Sequence, residues 1–201
     1  MNKELLIQIL EIPTYFKKEQ EVKKFLINYL ESKNCNYHLD NYGNLYVKKG
    51  NVEMYPCVVA HLDSVHRDMV PLIKENKKKV IVEENNTLFA LNPTTGLHIG
   101  LAADDLVGVY LCLEMLEKFD NIKVAFFVEE EYGCKGANNC DKEFLKDVGY
   151  FIEFDGPTNN WYSISLQFES LFTTGFHSII KPILEKFKED KIRLQQEMMA
   201  L

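Results

Sequence analysis

The chain has 201 residues, 46% of them hydrophobic, which allows one well-buried core and at most a small appendage. Its 30 acidic residues outnumber 23 basic ones, a formal net charge of -7, and no Arg-rich segment is there to track a phosphate backbone, so no nucleic-acid partner is expected. The five cysteines (Cys35, Cys57, Cys112, Cys134, Cys140) are odd in number and form no C-x-x-C, which favours a reducing compartment.

The N-terminus "MNKELLIQILEIP" is too polar for a signal peptide or membrane span, and no later apolar run reaches bilayer length. The expectation is a cytoplasmic protein with no membrane partner. Residues 3–10 and 18–32 carry helical periodicity in Leu5, Leu6, Ile9 and Leu10, then Val22, Phe25, Leu26, Tyr29 and Leu30, with "IPTY" between them. Short β-like runs follow at 44–48, 56–60, 79–83 and 87–91, the last two spaced as a hairpin. A helix is expected over 105–118. Residues 122–128 and 148–154 are near-continuous apolar runs of the kind buried on both faces of a parallel sheet. This alternation predicts an α/β fold, three layers with a mostly parallel mixed sheet flanked by helices, in a single catalytic-type domain over 1–201.

In open α/β sheets, ligands sit beyond the carboxyl ends of the strands. Here those ends carry the polar residues: His61 and Asp63 after 56–60, Glu129 to Glu131 after 122–128, and Asp155 after 148–154. Asp104 and Asp105 open the long helix. Each has an ordinary use taken alone: an N-cap for Asp104 or Asp105, a solvated loop for the Glu run, a turn before Gly156-Pro157 for Asp155, and a satisfied core histidine for His61. Taken together, converging carboxylates repel unless a cation neutralises them. One histidine among several carboxylates suits a divalent metal, zinc especially.

The stretches "AHLDSV", "LAADDLVG", "FFVEEEYGCKGA" and "FIEFDGP", in that order, resemble the motifs of the co-catalytic di-zinc exopeptidase clan, which includes peptidase T, its dipeptidase relatives and the two-zinc aminopeptidases. The resemblance covers roughly residues 1–160. It implies that His61 binds one zinc, with Asp63 hydrogen-bonded to the other ring nitrogen. It further implies that Asp104 bridges two metals, Asp105 supports the loop, Glu130 is the general base, Glu131 binds the second zinc and Asp155 completes the first site. The implied activity is hydrolysis of a peptide or small amide by an aminopeptidase or dipeptidase.

The pattern departs from the family after Asp155. The histidine that closes the family's second zinc site is not evident; His177 is the one histidine in the 46 residues that follow Asp155, and it opens a helical pattern. One tight zinc and a weaker second are therefore expected. The inserted lid of many relatives does not fit in that length, so a lidless layout is expected. Residues 176–201 read as an amphipathic helical tail, either packing on the core or serving self-association. A second reading stands beside the enzyme: a truncated or degenerate relative that binds metal or a partner without turnover.

Overall fold

The structure, a computed structural model, describes residues 2–155. The tail over 176–201 and His177 lie outside the described residues.

Two helices open the chain. In α1 (Lys3–Leu10), the Asn2 side chain accepts the Leu5 amide at 3.1 Å and caps the first turn, while Leu5, Ile9 and Leu10 make one buried stripe. In α2 (Gln20–Ser32), Val22, Leu26 and Leu30 recur every fourth residue and are wholly buried. Truncating Leu26 to Ala would cost about 2–5 kcal/mol, transfer free energy plus the cavity left behind.

Strands β1 (Tyr37–Leu39) and β2 (Leu45–Lys49) form a hairpin. Its turn closes on Asp40, whose Oδ1 accepts the amides of Tyr42, Gly43 and Asn44 at 2.8–2.9 Å, with Gly43 at φ +105° where only glycine is at ease. Then come β3 (Tyr55–His61), a 3-10 turn (Arg67–Met69) running into α3 (Val70–Lys74), and the strands β4 (Val80–Glu84), β5 (Thr87–Leu91) and β6 (His98–Ile99). Helix α4 (Ala103–Lys118) leads to β7 (Ile122–Phe127), the short helices α5 (Lys135–Asn138) and α6 (Lys142–Leu145), and β8 (Val148–Glu153).

The main sheet has the order β1-β2-β7-β3-β8, and β4-β5-β6 form a separate antiparallel sheet. The fold is the mixed α/β type expected. Among the described residues β7–β3 and β3–β8 pair in parallel, while β1–β2 and β2–β7 are antiparallel. Alternation along the central strands makes three layers. Val58, Ala60, Val124 and Phe126 pack under α1, α2 and α4, whereas Cys57, Val59, Ala125 and Phe127 face Phe144 and Leu145 of α6.

The run at 148–154 departs from its sequence reading of burial on both faces. As β8 it is the edge of the described sheet, and Tyr150 and Phe151 are 39% and 51% exposed. Its parallel register nevertheless aligns it with the central strands. His61 pairs with Phe127 and Val59 with Glu153, so β3, β7 and β8 end side by side and place His61, Glu129–Glu131 and Asp155 along one edge.

Candidate metal centre

His61 is the last residue of β3 and is 1% exposed. Its Nε2 faces three carboxylates: Asp104 Oδ1 at 3.0 Å, Glu130 Oε2 at 3.8 Å and Asp155 Oδ2 at 3.8 Å. One ligand atom each from His61, Asp104 and Asp155 lie within 4.8 Å of one another. Histidine nitrogen with two carboxylate oxygens is a donor set that zinc accepts, and three protein ligands leave a position for water. The residues present therefore fit a metal ion.

The two aspartates at the start of α4 take different roles, Asp105 on the backbone and Asp104 at the imidazole. Both have non-helical backbone angles, so the regular helix begins after them. Asp105 is buried and caps: its Oδ1 accepts the Gly108 amide at 3.0 Å and its Oδ2 accepts the His61 amide at 3.1 Å. A β-carbon on Gly108 would lie 2.1 Å from Asp105 Oδ1, so this cap requires glycine there. Asp104, its side chain 66% exposed, projects instead to the imidazole.

Asp63 is wholly buried, with Oδ1 3.4 Å from His61 Nδ1. That approach leaves Nδ1 without a directed hydrogen bond among the described residues. The carboxylate oxygens are committed elsewhere: Oδ1 accepts the Glu130 amide at 2.9 Å and Oδ2 the Glu131 amide at 3.2 Å. Asp63 thus sits between the ring and the Glu loop, holding the loop by its backbone.

The charges at the centre respond to one another. Burial pulls the His61 imidazolium down, but the hydrogen bond to Asp104 and then the nearby negative charge of Asp63 outweigh it, and His61 is pushed up to about 11. The same contact with His61 holds Asp104 below its ordinary value. Burial, then the charge of Asp104, raises both Asp155 and Glu131. Asp105 is pushed up to about 7, chiefly by burial. These are carboxylates short of positive charge, the condition a bound cation relieves.

Glu130 lies beside the group, its Oε1 accepting from the Cys134 thiol at 3.3 Å. Glu131 feels the charges of Asp104, Asp63 and Glu130 but is not part of the three-ligand group.

Three buried polar residues that brace this edge were not singled out in the sequence. Asn44 accepts the Val128 amide at 3.1 Å and donates to the Gly136 carbonyl at 3.0 Å, fastening both ends of the Glu loop. Glu19 accepts the Glu129 amide at 3.3 Å. Lys79 donates to the Leu101 carbonyl at 2.7 Å, just upstream of Asp104, and its burial lowers the ammonium to about 7. Each lies far from the motifs in sequence; a lone Asn, Glu or Lys at such a place carries no local signal.

A mixed α/β sheet with a histidine and carboxylates gathered at the strand ends defines a metallohydrolase type of site. The chain belongs to Peptidase family M28, whose profile matches residues 44–198. Its resemblance to the co-catalytic zinc exopeptidases extends to the fold. A tripeptidase from Staphylococcus aureus superposes with a TM-score of 0.60 at 18% identity, over 77% of this chain and 43% of that one. Aminoacylhistidine dipeptidase from Vibrio alginolyticus gives 0.62 at 19% identity, over 78% of this chain and 33% of that one. Aminopeptidase PepT from Bacillus cereus gives 0.58 at 18%, over 75% and 42%. The chain thus spans less than half the length of these three proteins. None of the curated proteins compared is similar enough to count as a match.

Proposed function

We propose that the chain is a zinc-dependent exopeptidase of the aminopeptidase or dipeptidase type, hydrolysing a peptide or small amide. The observation that carries this reading is the convergence of His61, Asp104 and Asp155 at the carboxyl edge of the sheet, with Glu130 alongside. His61, Asp104 and Asp155 would hold one ion, and Asp104 with Glu131 a second. Zinc bound there would supply a Lewis acid and a water acidic enough to lose a proton near neutrality.

Glu130 is the general base: it takes the proton of the attacking water and returns it to the leaving amine. Asp63 positions that base through the Glu130 amide, and Asp105 fixes the start of α4 so that Asp104 faces the imidazole. The expected stoichiometry is unequal. One zinc has three protein ligands, while the second has only two carboxylates among the described residues. His177, or a histidine from another subunit, is the candidate to complete it.

All five cysteines are free, in keeping with a reducing, cytoplasmic setting. Among the described residues no helix is long and apolar enough to cross a membrane.

The two-ligand second site favours an alternative: a degenerate relative that binds metal without turnover. Zinc content measured together with hydrolysis of a panel of aminoacyl amides and dipeptides separates the two. Bound zinc with hydrolysis supports the exopeptidase; bound zinc with none supports the degenerate relative; neither defeats both.

A further inference from the structure

At the rim of the Glu loop a cationic and aromatic cluster stands apart from the carboxylates. Arg67 is the only arginine in residues 2–155, in a chain with 30 acidic residues, yet among the described residues it pairs with none of them. Its guanidinium instead lies against the hydroxyls of Tyr15 and Tyr132. Those hydroxyls are 3.4 Å apart, and the Tyr132 ring stacks obliquely on Phe16 with centroids 4.2 Å apart. Lys17 and Lys135 sit over the Phe16 ring at 5.3 and 5.0 Å. Three cations thus border one aromatic pair.

The cluster is built onto the candidate centre. Tyr132 follows Glu131 directly, with neighbouring Cα atoms about 3.8 Å apart. Arg67 ends the loop that begins at His61. The segment carrying Tyr15 and Phe16 is fastened to that loop, Thr14 Oγ1 donating to the Leu62 carbonyl at 2.6 Å and the Phe16 amide to the Ser64 carbonyl at 3.3 Å.

We propose that Arg67, framed by Tyr15 and Tyr132, binds a carboxylate of a short peptide substrate and so sets specificity for peptides that carry one near the scissile bond. The proposal rests on the exopeptidase reading. A guanidinium offers a planar fork of donors that matches a carboxylate, and a tyrosine hydroxyl on either side adds a further donor. A substrate carboxylate entering a centre of Asp104, Glu130, Glu131 and Asp155 meets repulsion, which a guanidinium at the rim offsets. The carboxylate is either the free C-terminus or an acidic side chain.

The test compares Ala-Ala, Ala-Ala amide and Ala-Glu amide as substrates of the zinc-loaded full chain, its Arg67→Gln and Arg67→Lys variants, and the Tyr15→Phe/Tyr132→Phe double variant. The parent is expected to favour a carboxylate-bearing peptide over Ala-Ala amide by about tenfold or more in kcat/KM, the scale of a charge-assisted hydrogen bond. Arg67→Gln collapses that ratio towards one, Arg67→Lys restores part of it, and the double variant halves it or more. Preference for Ala-Ala identifies the C-terminus as the group bound; preference for Ala-Glu amide identifies the side chain. A parent ratio near one, or a ratio that survives Arg67→Gln, overturns the proposal. If no peptide is cleaved, the exopeptidase reading fails separately, and calorimetric binding of the same peptides decides the carboxylate site: tighter binding that is lost in Arg67→Gln upholds it, and equal binding overturns it.

Discussion

Replacing Asp63 by Asn tests how the centre is held together. The side chain is wholly buried and accepts two backbone amides, from Glu130 at 2.9 Å and Glu131 at 3.2 Å, with His61 Nδ1 3.4 Å away. Asparagine keeps the shape but has one acceptor oxygen, so one amide must face an NH2 group and the other loses a charged partner. A hydrogen bond to a charged group contributes about 1.5–3 kcal/mol, and a buried donor left unpaired costs about 1–3 kcal/mol. We expect Asp63→Asn to lower stability by about 2–4 kcal/mol. Loss of the charge 3.4 Å from His61 Nδ1, together with the loosened Glu loop, should weaken zinc binding by about 10–100-fold. Urea unfolding of the metal-free protein reads the first effect, and competition against a zinc-chelating dye reads the second. A variant within about 0.5 kcal/mol of the parent, with unchanged zinc affinity, would refute the role assigned to Asp63.

Glu130→Gln should abolish hydrolysis with zinc content unchanged, whereas His61→Ala should lose metal and activity together; a Glu130→Gln protein as active as its parent would remove Glu130 as the base. After dialysis, close to one zinc per chain should remain, with a second taken up only from excess metal. Two zincs that persist both in the parent and in monomeric His177→Ala would contradict the ligand count. Because His61 is pushed up to about 11 in the metal-free protein, it carries a proton at neutral pH, and zinc uptake should release about one proton; calorimetry in buffers of differing ionisation enthalpy detects it, and zero release would show that His61 is already neutral before metal binds. Lys79 is lowered to about 7 by burial, so above that value the unfolded chain holds more protons at this residue than the folded one. The stability of the parent relative to Lys79→Met should therefore rise between about pH 7 and about pH 8.5, and a constant difference in urea midpoints would show that Lys79 is not desolvated.

The parts of the site that were legible in the sequence are those where a buried apolar strand stops at a polar residue. His61 after β3, Glu129–Glu131 after β7 and Asp155 after β8 are placed by strand period and parallel register alone. The helix stripes of α1 and α2 were legible for the same reason. Roles that depend on which way a short side chain turns were not. The family resemblance already gave Asp104 to the metals and Asp105 to the loop, but it did not show that Asp105 does this by accepting the Gly108 and His61 amides while Asp104 reaches the imidazole. Asp63 was read as a partner of the ring, yet its oxygens serve two amides of a loop 67 and 68 residues away in sequence. Asn44, Glu19 and Lys79 escaped because their partners are backbone atoms of distant segments, which leave no pattern. The exposure of Phe151 goes with the edge position of β8 among the described strands, and edge and centre strands of similar apolar content look alike in sequence.

The proposed mechanism stands on a metal bound by His61, Asp104 and Asp155, without which peptide hydrolysis stops. The most direct measurement strips the chain with a chelator, titrates zinc back, and follows bound zinc and dipeptide hydrolysis in the same samples. No hydrolysis is expected in the stripped protein, and activity should return as zinc binds. Hydrolysis undiminished after stripping, or full zinc binding without hydrolysis of any substrate, would contradict the metal-dependent mechanism.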